Sequence, residues 1–187
     1  MRGRFPLIAF SAATLVVLSA AGLADAKLAK TGDEPSVAFH AVGSVPGMKI
    51  DGSTNELNVT DDGTNVKIIV PLAKLDTKIS LRNDHMRNKY LEVGTYPNAE
   101  LTVARGSLKF PAVGASSQGD ATGTMKIHGK EKQVTFHYAA GNAGGKITVK
   151  GSVHLNINDY GIVIPSYAGV TMKPDLDVEV SFVATDS

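Results

Sequence analysis

Between Lys146 and Asn158 the side chains change character at every step. Ile147, Val149, Val153, Leu155 and Ile157 fall on one parity, with Gly151 in phase; Lys146, Thr148, Lys150, Ser152, His154, Asn156 and Asn158 fall on the other. Period two is the repeat of an extended chain, whose successive side chains leave opposite faces. The run therefore predicts a strand with one dry and one wet face. Thirteen residues is long for a strand, and long curved strands are typical of barrels.

The alternation recurs along the chain. Leu176, Val178, Val180, Phe182 and Ala184 alternate with Asp177, Glu179 and Ser181; Val134, Phe136 and Tyr138 with Gln133, Thr135 and His137; Met125 and Ile127 with Thr124, Lys126 and His128. Val66, Ile68 and Val70 make another run. Leu101 and Val103 open one that heads toward Leu108 and Phe110, Leu57 and Val59 end an earlier one, and Val37 and Phe39 begin the first. Turn signals at Asp61-Asp62-Gly63, His128-Gly129-Lys130 and Gly141 to Gly145 separate them. The count is about eight strands, joined mostly by connections short enough for antiparallel neighbours. The chain has no cysteine, so a hydrogen-bonded sheet and an apolar interior must supply its stability.

The first 26 residues read as a signal peptide. Arg2 and Arg4 precede an apolar run from Leu7 to Leu23, and Ala24-Asp25-Ala26 is a small-residue cleavage site. Cleavage after Ala26 would place the protein in the periplasm or outside the cell. The rest divides into a loose polar lead-in, residues 27–35, and one domain, residues 36–187. Without the leader the chain carries seventeen basic and seventeen acidic residues. That balance offers no electrostatic case for nucleic acid, nor for a strongly anionic membrane surface.

One segment breaks the β pattern. In Lys78 to Leu91, Ile79, Met86 and Tyr90 sit at helical spacing, Asp76 or Thr77 could cap the start, and Pro97 ends any helical tendency. The fold class expected is thus all-β: an antiparallel eight-stranded β-barrel with one short helix between strands.

Catalytic chemistry finds little support. The five histidines lack metal-ligand spacing, and His128, His137 and His154 fall on wet parities. There is no G-x-S-x-G elbow, and the glycine-rich stretch at 141–145 opens no helix. The expectation is a protein that is not an enzyme, needs no cofactor and holds a lipid-like molecule inside the barrel. The candidate cavity-lining residues are Phe39, Leu72, Leu75, Met86, Tyr90, Leu91, Ile157, Tyr160, Ile162 and Tyr167. The mouth is expected near the helical segment and Tyr160 to Tyr167. Arg82, His85 and Arg87 are the candidate head-group contacts, since guanidinium and imidazole donors suit phosphate oxygens. The competing use of such a charge run is a solvated helix face with local ion pairs.

Five motifs in order resemble the YceI-like family: Val70-Pro71-Leu72-Ala73-Lys74-Leu75-Asp76-Thr77, Arg82-Asn83-Asp84-His85-Met86 with Tyr90-Leu91, Tyr96-Pro97-Asn98-Ala99, Gly123-Thr124-Met125-Lys126-Ile127-His128-Gly129 with Val134-Thr135, and Asp159-Tyr160-Gly161-Ile162. The resemblance runs from about Val37 to Phe182. It implies an extended antiparallel eight-stranded lipocalin-like β-barrel, with one short helix between strands, that binds a long-chain polyisoprenoid or similar amphiphile in the periplasm or outside the cell, often as a homodimer. The chain departs from the family pattern in its short first hairpin and in Asn158, where the family often has Arg. Two other readings stay open: a stress-protection module that captures foreign lipophiles such as antibiotics, and a structural partner with a filled barrel.

Overall fold

The structure is a computed structural model that describes residues 27–31 and 35–186; the leader and its expected cleavage site lie outside them. The alternating runs become antiparallel strands: β1 (Leu28–Lys30), β2 (Ser36–Gly43), β3 (Lys49–Thr54), β4 (Asn58–Asp61), β5 (Asn65–Pro71), β6 (Asn98–Ala104), β7 (Ser116–Ile127), β8 (Lys130–Ala143), β9 (Lys146–Asn156), β10 (Ser166–Tyr167) and β11 (Val170–Asp186). Nine of them form one path in the order β3-β2-β11-β9-β8-β7-β6-β5-β4, and β1 and β10 each pair with β11. The antiparallel all-β class is as the alternation predicts. The strand count is higher because β11 is long enough to pair with β1 and with its own short hairpin partner β10 as well as with β2 and β9.

The sheet is strongly curled into a half-barrel. Its two terminal strands, β3 and β4, are consecutive in sequence, so one stretch of chain leaves β2 and joins β5. No ladder joins β3 to β4. The seam is tied instead by a two-bond bridge between Ser53 and Asp76, at 3.0 and 2.8 Å. Leu57, in the three residues between these strands, is buried and packs inward.

Several boundaries differ from the sequence expectation. Residues 28–30, read as loose, form β1: Leu28 is buried, and its N–H donates to Asp61 Oδ2 at 2.8 Å. The Lys146 run stops at Asn156, because the Asn156 side chain accepts the Asn158 N–H and starts a tight 3₁₀ turn over Ile157–Tyr160. The run after Val103 does not reach Phe110 either. It breaks at a 3₁₀ turn over Arg105–Ser107, where Arg105 pairs with Asp61 and Asp186 and stacks over the Phe110 ring. Conversely β7 begins at Ser116, in a Ser-, Gly- and Asp-rich stretch whose only strand signal is its pairing with β8.

Inward-facing residues divide into two packed groups. Near the end where β4 turns into β5 lie Leu28, Val37, Leu57, Val66, Ala140, Ile147, Phe182 and Ala184, which fill the half-barrel. Toward the other end lie Tyr90, Met125, Phe136, Val153, Leu155, Ile157, Tyr160 and Ile162. The filled end is pinned by the Asp61–Arg105–Asp186 cluster. The other end is capped only by connections, and it is there that space remains.

Candidate functional site

The helical segment is one short helix, α1 (Ser80–His85), continued by a wider π turn over Met86–Tyr90, in which the Leu91 N–H reaches back five residues to Met86 O at 2.8 Å. Asp76 and Asn83 fix its approach. Asn83 Oδ1 accepts both the N–H and the hydroxyl of Thr77, at 2.8 and 2.7 Å. Asn83 Nδ2 donates to Asp76 Oδ1, which also accepts the Lys78 N–H. Lys78 has φ 64°, a left-handed conformation costly for a residue with a Cβ, and the Asp76 carboxylate holds the chain in it.

These contacts, led by the Asn83 amide and the Lys78 N–H, hold the Asp76 carboxyl well below the usual carboxylate range. A lowered folded value means that the carboxylate adds stability above its unfolded value of about 4, and that this is lost as pH falls through the folded one. Acid unfolding should therefore be steeper with pH below about 4 in the wild type than in Asp76→Asn. Denaturant melts across that range check it.

Beneath the helical segment lies a cavity of about 580 Å³, within the range of small-molecule sites. All ten expected lining residues border it: Phe39 from β2; Leu72, Leu75, Met86, Tyr90 and Leu91 from the β5–β6 connection; and Ile157, Tyr160, Ile162 and Tyr167 from the stretch between β9 and β11. The sequence reading did not include Met48, Ile50, Ile68, Leu101, Met125, Leu176 and others that share the wall. Most of those strand positions follow from inward parity, but nothing in their spacing says which inward residues face space and which face each other. Apart from tyrosine hydroxyls, the polar lining is Thr77, Arg82, His85, Ser152, Ser166 and Thr171; no carboxylate borders the cavity.

Phe39 owes its position to a glycine. Gly52 stands opposite it on β3, and a Cβ there would lie 2.3 Å from the Phe39 ring. The ring edge therefore fits only against bare backbone, where it borders the interior. Tyr160 is nearly fully buried at 1% exposure, and its hydroxyl has no hydrogen-bond partner among the described residues. Burial, with the Asp159 charge adding to it, pushes the phenol up to about 12, so it stays a neutral donor.

The three head-group candidates separate. Arg82 and His85 border the cavity, and the His85 ring lies 6.1 Å from that of Tyr167 across the opening. Arg82 spends one guanidinium nitrogen on Thr77 O at 2.6 Å. Arg87 is not on the wall; its Nη2 donates to Leu75 O at 2.7 Å and clamps the loop before α1. The histidines also divide. His40, His137 and His154 are exposed on the outer face, each beside a cross-strand aspartate at 2.8–2.9 Å. Asp177 holds His154 above its ordinary value. His128 is not on a solvated strand face. It occupies the β7–β8 turn, packs on Tyr96 and pairs with Glu92 at 2.7 Å. Among the described residues no group of acidic and histidine side chains is placed to hold a metal ion.

A curled antiparallel sheet filled at one end, with an apolar cavity under the other, is a lipocalin-like container. The chain belongs to the YceI-like family, whose domain model matches residues 10–184. Among solved structures, a polyisoprenoid binding domain from Saccharophagus degradans implicated in plant cell wall breakdown superposes with a TM-score of 0.70 at 16% identity, over 87% of this chain and 99% of that one. Burkholderia cenocepacia BcnA superposes with a TM-score of 0.64 at 17% identity, over 81% of this chain and 96% of that one. A UPF0312 protein of Pseudomonas putida is 28% identical over 141 residues, 69% of this chain and 68% of the relative.

Proposed function

We propose that the protein binds one long amphiphile, an isoprenoid tail or a chain of similar shape, and carries or sequesters it outside the cytoplasm. The observation that carries this reading is the cavity: about 580 Å³, walled mainly by aliphatic and aromatic side chains and free of carboxylates. Family membership supports it, as does the polyisoprenoid binding attributed to the Saccharophagus neighbour. Export rests on the leader, and a mature mass beginning at Lys27 checks it.

An apolar wall recognises a tail by area, not by hydrogen bonds. Each buried methylene contributes about 0.8 kcal/mol before ordering costs, at most a fourfold gain in affinity. Arg82 and His85 at the opening then tune the head group, and the tail dominates. The test is titration of a tail-length series into wild type, Met86→Lys and Arg82→Ala. Affinity should climb with tail length, collapse in Met86→Lys, where a charge enters the wall, and fall less in Arg82→Ala. Affinity that ignored tail length and vanished in Arg82→Ala would make this an anion site and end the carrier reading.

A further inference from the structure

The cavity wall ends at a defined level inside the half-barrel. On β5 it ends at Ile68, on β9 at Val153 and on β11 at Val180. The next inward side chains along these strands are Val66, Val149 and Phe182, which are outside the wall and pack in the filled group. Val66 and Phe182 are buried, and the end behind them is pinned by the Asp61–Arg105–Asp186 cluster. A close-packed interior has no slack for a tail to push into. A chain entering past Arg82 and His85 therefore meets a fixed stop.

Two valines stand at that stop. Val37 and Val180 face each other across β2 and β11, both border the cavity, and both pack in the filled group. The partner of Val180 on β9 is Gly151, where a Cβ would lie 3.1 Å from Val180 Cγ1. Gly151 has no side chain of its own, so at this level Val180 covers both strands.

The space above the stop sets a capacity. A methylene-sized group at the density of a protein interior takes about 23 Å³. A cavity of about 580 Å³ thus holds roughly 25 of them, the carbon count of five isoprene units. We infer that the cavity gauges its ligand: the preferred amphiphile carries a tail of about five isoprene units, and Val37 and Val180 set that length. A longer tail leaves its surplus at the opening, where it gains no further burial. The inference rests on the carrier reading of the same cavity and adds an upper limit to it.

The test is titration of polyprenyl monophosphates of two to eight isoprene units into wild type and two double variants. In wild type, affinity should rise on the order of tenfold per unit up to the fifth, after ordering costs, and stay within about twofold from the sixth to the eighth. Val37→Phe with Val180→Phe fills about 100 Å³, close to one unit, and should move the break down to four units. Val37→Ala with Val180→Ala frees a similar volume and should move it up to six. Shifts in opposite directions cannot come from a shared loss of stability, and if the phenylalanine pair does not fold, the alanine pair decides alone. Affinity that climbs unbroken through eight units overturns the gauge and leaves the carrier reading standing. A break that stays at five units in the double variants overturns the assignment of the stop to Val37 and Val180. Affinity that ignores tail length ends the carrier reading, and the gauge falls with it.

Discussion

Ile147→Asp is expected to unfold the protein, and Lys150→Asp to leave it nearly unchanged. Ile147 is 2% exposed, packed among Leu28, Phe182 and Ala184 at the filled end of the half-barrel. An aspartate there loses the burial of an isoleucine, about 1.5–3 kcal/mol, and adds an unpaired buried carboxylate costing several more. That sum approaches the whole stability of a typical domain, about 5–15 kcal/mol. Lys150 lies three residues further along the same strand on the opposite parity and is exposed, where a substitution usually changes stability by about 0.5 kcal/mol or less. Urea denaturation distinguishes them, and similar midpoints for the two variants would refute the assignment of faces.

Arg105→Ala should cost about 3–5 kcal/mol, although Arg105 looks unremarkable in the sequence. Its guanidinium pairs with Asp61, whose side chain is fully buried, and with Asp186 at 2.6 Å. It also lies 4.2 Å over the Phe110 ring. Removing one partner of a buried pair strands the other charge without water, and the loss is that desolvation penalty. Asp61 retains the Leu28 and Gly63 N–H donors, at 2.8 Å each, which favours the lower part of the range. Because the penalty arises from the stranded carboxylate, Asp61→Asn in the Arg105→Ala background should recover part of it. A double-mutant cycle in denaturant measures this. Equal and additive losses would mean that the pair contributes nothing beyond its separate contacts.

The two predictions differ in how far the sequence could have led to them. The burial of Ile147 was readable, because a strand with one dry face repeats every two residues and the repeat survives in the composition. The all-β class, the long strand β9, the central parts of β8 and β11, and the helical interruption before Pro97 were readable from side-chain periodicity too. The ten residues expected to line a cavity do border one. They could be named because five lie in or beside the helical segment and four in the apolar stretch from Ile157 to Tyr167, which Gly161 and Pro165 break.

The tertiary structure alone decided the rest. Asp61 and Arg105 are 44 residues apart, and Asp61 had the local explanation of a turn carboxylate; only the sheet pairing places the two together. Arg82 and Arg87 are alike in the sequence, yet one borders the opening and the other clamps Leu75 O, because helical phase and loop path set each direction separately. Parity tells which side of a strand faces inward. Whether that interior is filled, as around Ile147, or left open, as beneath Met86, depends on how far the sheet curls and on which rings can approach it closely, as Phe39 does at Gly52. Those are distances between residues far apart in the chain, and local patterning does not encode them.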